Sequence, residues 1–415
     1  MSQPTRILLS LIAGLLGGIA LAAWTPSAAD TAILLAQPVG TAWLNALQMT
    51  VVPLVVSLLV TGVAATAEAA RAGRIAARAI LMFVALLFVS AFASALLTPL
   101  FLDLVPLPAE AGASLRAALT GAAPVAQAPP IGDLLAHIVP TNALAAATAD
   151  AFLPLIIFTL IFAFALTRID GERRRLLTTV FEALRETMLV VINWVLWLAP
   201  LGVFALALVV GARAGTAAFG ALVHYVVTVS AVGIAVSLLG AIPLALLGAR
   251  IGIARFARAA LPAQAVAIST QSSLASLPAM LKGAGALGVP VSTAGLTLPI
   301  AVAIFRWTGP AMNLAVAIYV ARWFGIALTP GTMAAAVLVA ALTSLGSVSL
   351  PGQISFVSAI APIAAVLGVP IAPLGLLVAV ETIPDIFRTL GNVTMDLAAV
   401  ATVSRTSHDP LPEDI

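Results

Sequence analysis

The chain has 415 residues, of which 62% are hydrophobic and only 8% are charged. Soluble domains carry about 25% charged residues, so this composition excludes a soluble protein and predicts a polytopic membrane protein. The net charge of +3 comes without a basic cluster on a soluble face, which argues against nucleic acid as a partner. The absence of cysteine excludes disulfides and Cys-ligated metal sites.

Apolar segments long enough to cross a bilayer follow one another at about 7–24, 42–66, 78–102, 134–167, 177–211 and 217–249. The first is interpreted as a transmembrane helix rather than a signal peptide, because many spans follow it. Arginines are concentrated before the first span and after the second, fourth and sixth. The positive-inside rule therefore predicts a multi-pass protein of the plasma (inner) membrane with a cytoplasmic N-terminus.

Two later segments, 259–287 and 333–366, are apolar runs that small hydroxyl residues and a Leu-Pro pair interrupt. Backbone that leaves the helix at membrane depth lines a protein-covered cavity, and a pair of such segments indicates a transporter binding site. Two kinked but continuous spans are the alternative. The interruptions contain Ser272 and Ser273 in the first segment, and Gly346, Ser347, Pro351 and Gly352 in the second.

Between these segments, a span at about 292–324 carries one central charge, Arg306. A buried arginine is costly in a membrane, so an anion is expected near it. Pro310 follows shortly and cannot donate a backbone hydrogen bond. The sequence therefore predicts a helix interrupted at its middle.

The last apolar segment, at about 369–403, carries a stripe of polar residues at one helical face: Glu381, Asp385, Arg388, Asn392 and Asp396. Ionisable groups within a membrane helix normally face a cavity and bind something. An internal salt-bridge network that only ties helices together is the alternative.

The motif Asp385-Ile-Phe-Arg388-Thr389, with Asn392 and Asp396 after it, resembles the last helix of the dicarboxylate/amino acid:cation symporter family. This family includes the excitatory amino acid transporters and an archaeal aspartate transporter. Met49-Thr-Val-Val-Pro53-Leu-Val and Ile138-Val-Pro-Thr-Asn142 extend the resemblance over nearly the whole chain. It implies an all-α homotrimer in the lipid bilayer, with eight transmembrane helices, two re-entrant hairpins related by inverted repeats, and both termini cytoplasmic.

The resemblance also implies an elevator mechanism with two domains. Residues 1–77 and 132–215 would form the scaffold and trimerisation domain. Residues 78–102 and 216–405 would form the mobile transport domain, which leaves 406–415 as a polar tail.

By the same resemblance, Asp385 matches the aspartate that holds a substrate amine, and Arg388 matches the arginine that pairs with an acidic side chain. A planar guanidinium binds carboxylates bidentately, which agrees with that role. The presence of both residues predicts an acidic amino acid, aspartate or glutamate, as substrate. The other predicted substrate contacts are Thr389, Asn392 and the hairpin residues Ser272, Ser273, Gly346, Ser347, Pro351 and Gly352.

The chain departs from the family where a sodium ion is expected. The seventh-helix signature Asn-Met-Asp-Gly-Thr aligns with 305–309, so Phe305 and Trp307 stand at the two ligand positions and Gly309 replaces the threonine. In the third helix, Leu86 and Val89 take the ligand positions. Hard cations need oxygen ligands, so no confident metal site is predicted and Asp396 is interpreted as the remnant of one.

We therefore expect transport without sodium, with Arg306 acting as a tethered cation that pairs with Asp396 or Asp385. A proton on Glu381, Asp385 or Asp396, or residual sodium coupling, is the alternative, as are C4-dicarboxylate substrates and, from another class, an anion channel. No cofactor is expected. An enzyme is not indicated, because the sequence shows no Ser–His pair and no zinc motif. Asp385 and Asp396 do not indicate a di-aspartate active site, because each belongs to a motif that transport already explains.

Overall fold

The structure is a computed structural model that describes residues 3–107, 136, 138–345 and 352–406. Within these residues the fold is all-α and contains no strand, as the resemblance implies. The helices are α1 Gln3–Trp24, α2 Pro26–Gln48, α3 Val51–Arg71, α4 Arg74–Leu104, α5 Ala143–Thr148, α6 Phe152–Leu166, α7 Gly171–Trp197, α8 Ala199–Ala214, α9 Ala217–Pro243, α10 Ile253–Thr270, α11 Ser273–Leu287, α12 Val291–Ile304, α13 Thr308–Phe324, α14 Pro330–Leu345, α15 Gly352–Val366, α16 Ala372–Leu377 and α17 Thr382–Thr406.

Five helical segments among the described residues are long and apolar enough to cross a membrane, and α7 with α8 forms a sixth candidate that bends by 56°. The predicted fourth span corresponds to α6, which is shorter than a full span. The predicted eighth span corresponds to α17, whose 25 residues carry the polar stripe. The chain is therefore an all-α polytopic protein with the expected order of spans.

The first predicted boundaries need one correction. The sequence places a connection between 24 and 42, but α2 occupies most of it. This segment is less apolar than its neighbours, which hides a helix from a search for apolar runs. Trp43 of α2 donates from its indole Nε1 to the carbonyl of Val195 in α7 at 2.9 Å, and this bond ties α2 to the bundle.

Both interrupted segments are helical hairpins rather than kinked spans. The first consists of α10 and α11, which pack against each other and begin six residues earlier than predicted, at Ile253. Its turn is made by Gln271 in the left-handed conformation, with φ of 51°. The second consists of α14 and α15, and its tip, 346–351, lies outside the described residues.

The predicted interruption near Arg306 is confirmed at 305–307, between α12 and α13. Pro310 is not at the break itself, because it lies in the first turn of α13. Backbone N–H groups have no intrahelical partner there, so proline is tolerated. The last predicted helix is likewise divided, since a turn at 378–381 separates α16 from α17.

Candidate functional site

Helix α17 lies at the centre of the site and packs against α9, α13 and the first hairpin. Its predicted polar stripe faces inward: Asp385, Arg388, Asn392 and Asp396 are each at most 5% exposed, and Glu381, directly before the helix, is fully buried. Five polar groups on one buried face are costly unless they bind each other or a ligand. Their contacts therefore decide what the site can do.

Arg388 is held on three sides by its own chain. Its Nη2 donates to Glu381 Oε1 at 2.5 Å, its Nη1 donates to Asn313 Oδ1 at 2.6 Å, and its Nε lies 3.4 Å from Asp385 Oδ1. Glu381 also accepts a bond from the Tyr225 hydroxyl at 3.2 Å. The internal network that the sequence left as an alternative is thus present around the arginine, and Asn313 and Tyr225 are partners that the sequence analysis missed.

Asp385 is contacted by the second hairpin. The backbone N–H of Gly352 donates to Asp385 Oδ2 at 3.0 Å. A Cβ atom at residue 352 would lie 2.5 Å from Asp385 Oδ1, so only glycine allows this approach. The contact joins the start of α15 to the carboxylate that carries the predicted amine-binding role.

Asn392 stabilises the break between α12 and α13. Its Oδ1 accepts from the backbone N–H of Thr308 at 2.9 Å and lies 2.7 Å from the Thr308 hydroxyl. The same hydroxyl is 2.7 Å from the carbonyl oxygen of Arg388, whereas the Thr389 hydroxyl donates to the carbonyl of Asp385 at 2.9 Å. The side-chain oxygen of Asn392 is therefore used within the fold, and only its amide nitrogen is left for other contacts.

Asn392 Nδ2 is a buried donor without a hydrogen-bond partner among the described residues, whereas Asp385 Oδ1 and Arg388 Nε, which also lack one, face each other as an ion pair at 3.4 Å. Buried polar atoms without a partner are rare in folded proteins and indicate a water, an ion or a ligand. The acceptor and the two donors match the groups of an amino acid, whose ammonium donates and whose carboxylates accept. The stripe therefore combines an internal ion-pair network with a donor that the fold leaves unused.

Arg306 lies in the α12–α13 break, is 9% exposed and lines a cavity together with Arg388, Gly309 and Gly352. The cavity measures about 20 Å³, which holds about one water molecule. A substrate the size of an amino acid therefore requires that the hairpin or the side chains move. Arg306 interacts electrostatically with both Asp385 and Asp396, so its pairing with either stays a prediction.

Asp396 lies two turns further along α17 than Arg388 and is 1% exposed. Neither of its carboxylate oxygens accepts a hydrogen bond from the part of the chain that the structure describes. A buried carboxylate without donors favours a bound cation or a proton. Both options agree with its interpretation as part of a former cation site.

The comparison with known proteins gives the site its context. The profile of the sodium:dicarboxylate symporter family matches residues 4–406. The chain belongs to this family. Its members are transporters, so the chain is an integral membrane transporter and not an enzyme.

Three relatives of this symporter-family chain are named for what they transport. The proton/glutamate-aspartate symporter of Escherichia coli K12 is 30% identical over 98% of this chain and 93% of its own length. The proton/sodium-glutamate symport protein of Bacillus subtilis 168 is 29% identical over 97% of this chain and 92% of its own length. The C4-dicarboxylate transport protein 2 of Bradyrhizobium diazoefficiens is 28% identical over 79% of this chain and 72% of its own length.

Aromatic side chains fill the region where the family signature aligns with 305–309. Phe305 stacks on Phe83 of α4 with ring centroids 4.7 Å apart, and Trp307 donates from Nε1 to the carbonyl of Val236 at 3.2 Å. The Trp307 indole fits against Gly240 of α9, where a Cβ atom would overlap it. We call Phe83, Phe305 and Trp307 the aromatic cluster.

Of the two ligand positions predicted on α4, Leu86 packs against the core that contains this cluster, whereas Val89 does not. Val89 is 54% exposed, so its side chain points away from the cluster. Phe83 and Ser90 point inward, and the Ser90 hydroxyl donates to the carbonyl oxygen of Trp307. In this symporter-family chain, α4 therefore contributes the Phe83 ring and the Ser90 hydroxyl to this region, and both already have partners within the fold.

The first hairpin uses two of its polar residues in contacts within the fold, and its predicted substrate contacts stay predictions. The Ser272 hydroxyl accepts from the N–H of Ala275 at 3.2 Å, as the N-cap of α11, which is the local role that serine prefers at a helix start. Ser273 is 6% exposed, and Gln271 donates to the carbonyl of Thr382 at 3.1 Å. The predicted contacts Gly346, Ser347 and Pro351 lie outside the described residues.

Proposed function

We propose that the chain is a secondary transporter of acidic amino acids. The observation that carries the proposal is the buried pair Asp385 and Arg388, which lie 3.4 Å apart beside the unpartnered amide nitrogen of Asn392. Asp385 suits the ammonium of a substrate, and the guanidinium of Arg388 suits its side-chain carboxylate. The glutamate and aspartate named for the Escherichia coli and Bacillus relatives support this substrate class.

We further propose that transport does not require sodium, with Arg306 in place of a bound cation. The aromatic cluster offers carbon atoms where a hard cation would need oxygen, and its one polar atom, Trp307 Nε1, is a donor. Arg306 brings a fixed positive charge that interacts with Asp385 and Asp396. A buried carboxylate that has lost its cation needs such a charge.

The remaining parts of the proposal rest on the resemblance and on charge distribution. They are a homotrimer, an elevator movement of 78–102 and 216–405 against a scaffold of 1–77 and 132–215, and cytoplasmic termini. The arginines near the start of α1, at the α3–α4 junction and at the α6–α7 junction support that orientation; they are Arg6, then Arg71, Arg74 and Arg78, then Arg168 and Arg173 to Arg175. Exposed apolar side chains such as Leu16, Leu34 and Leu81 suit contact with lipid.

A second candidate is proton coupling, which the charges of the site favour. The two guanidinium groups of Arg306 and Arg388 face three buried carboxylates, Glu381, Asp385 and Asp396. The ionised set therefore carries net negative charge before an acidic substrate adds more. A proton on Asp396, whose oxygens accept no hydrogen bond from the described residues, would offset that charge.

The test uses the purified protein in liposomes loaded with unlabelled aspartate. A carrier accelerates entry of labelled aspartate by counterflow and saturates, whereas an anion channel does neither. A thermal-stability panel of aspartate, glutamate, neutral amino acids and succinate then reports which ligands bind the folded state. Stabilisation by succinate alone would support the C4-dicarboxylate alternative and contradict the amino-acid proposal.

A further inference from the structure

A second cavity lies far from α17, at the end of the bundle where the Arg-rich segments meet. It measures about 590 Å³ and is formed by the C-terminal parts of α3 and α6 and the first turns of α7. Pockets for small ligands commonly measure 300–1,000 Å³. This cleft, which we call the basic cleft, is therefore large enough for a ligand and has no part in the proposed transport site.

Three arginines line the basic cleft: Arg71 from α3, and Arg174 and Arg175 from α7. Among the described residues, none of them forms an ion pair with a carboxylate. Arg71 makes one long bond, from Nη2 to the carbonyl of Thr167 at 3.5 Å. Glu68 and Glu182 also line the cleft, so its ionised side chains carry one net positive charge.

The other lining groups suit a phosphate. Thr178 and Thr179 of α7 bring hydroxyl groups to the same wall. Guanidinium groups bind phosphate oxygens with paired, charge-assisted hydrogen bonds. A phosphate monoester or diester would find both kinds of donor in one cleft.

The surroundings distinguish a lipid phosphate from a free one. Leu166 and two alanines line the cleft, and Leu176 and Val180 stand 67% and 54% exposed on the same part of α7. An apolar flank beside a cationic pocket matches the boundary between acyl chains and headgroups. Anionic lipids are enriched in the cytoplasmic leaflet. The arginine distribution places this end of the bundle at that leaflet.

We propose that the basic cleft binds the phosphate of an anionic phospholipid. Lipid binding at the basic cleft does not depend on the substrate or on the coupling ion. A negative transport assay would therefore not contradict it. Lipid bound there would bridge α3 and α7.

The experiment uses the full-length protein, delipidated in an uncharged detergent and titrated with phosphatidylglycerol or phosphatidylcholine. Bound lipid is measured by native mass spectrometry. We expect preference for phosphatidylglycerol, and a loss of roughly tenfold or more in its affinity for the double variant Arg174→Gln/Arg175→Gln, since each basic residue near an anionic lipid contributes measurably. Arg173→Gln, one residue away and not part of the cleft wall, is the matched control and should change affinity little.

Glu182→Gln removes a carboxylate from the cleft and should tighten binding by roughly fivefold. This variant tests the proposal even if the double variant does not fold. Equal binding of both lipids, or unchanged affinity in the double and Glu182→Gln variants, would overturn the proposal. In a parallel arm, inorganic phosphate at millimolar concentration should not displace the lipid, and displacement by it would show that a free anion is the ligand instead.

Discussion

The contact between Gly352 and Asp385 allows a sharp prediction about substrate binding. In Gly352→Ala, the new Cβ would meet Asp385 Oδ1 at 2.5 Å, so either the carboxylate or the start of α15 must move by nearly an ångström to reach ordinary contact. That movement lengthens the 3.0 Å bond from the residue 352 N–H to Oδ2. Hydrogen bonds to charged groups contribute about 1.5–3 kcal/mol, so aspartate affinity should fall roughly ten- to a hundredfold.

The assay is the dissociation constant for aspartate and for succinate, measured by titration calorimetry on purified protein. Succinate lacks the amine that Asp385 is proposed to bind, so its affinity should fall less than that of aspartate. Gly295→Ala in α12 is the matched control, because an added Cβ at this position outside the cavity would meet no atom within 4 Å. Unchanged aspartate affinity in Gly352→Ala, or an equal loss for both ligands, would refute the reasoning.

Three further predictions concern the neighbours of this contact. Arg388→Ala should abolish selectivity for acidic side chains in competition assays, and it should lower the unfolding temperature as well, because Glu381 loses its charged partner. Tyr225→Phe removes the hydroxyl bond to Glu381 and should cost about 1 kcal/mol in stability without changing selectivity, as thermal unfolding and competition assays would show. Gly240→Ala should overpack against Trp307 and cost about 1–3 kcal/mol, and the added substitution Trp307→Phe should recover part of the lost unfolding temperature. A selectivity change in Tyr225→Phe, or no recovery in the Gly240→Ala double variant, would contradict these readings of the contacts.

The sequence predicted the site well where a repeating pattern carries the information. The polar stripe of α17 followed from helical spacing, and the break at 305–307 followed from a charge within an apolar run. Two interrupted segments with Leu-Pro pairs predicted the hairpins. These features are local, so hydrophobic periodicity and the free-energy cost of charged side chains within the membrane suffice to find them.

Other parts of the site depend on contacts between distant residues. Asn313 lies 75 positions from Arg388, and Tyr225 lies 156 positions from Glu381. No pattern within one helix pairs them, although a lone amide in the apolar α13 was a signal that could have been read. Ser272 has a role that the resemblance did not give, because its hydroxyl caps α11 as local physical chemistry favours, and its substrate contact stays a prediction.

The aromatic cluster illustrates what the sequence and the structure contribute together. The resemblance places Phe305 and Trp307 at positions where the family signature carries oxygen ligands. Only the packing shows that the space is occupied by rings from two helices and accommodated by Gly240. A substitution of one ring is therefore not expected to restore a cation site, because the second ring and the indole-to-Val236 bond remain.

The central claim is transport of an acidic amino acid without sodium, and uptake into liposomes tests it most directly. Labelled aspartate is presented in choline buffer and in sodium buffer, with Arg306→Met measured beside the unmodified protein. We expect equal uptake in the two buffers and severe loss of uptake in Arg306→Met, because Asp396 then lacks the fixed positive charge near it, whereas Asp385 keeps Arg388. Uptake that disappears in choline and returns with sodium would contradict it.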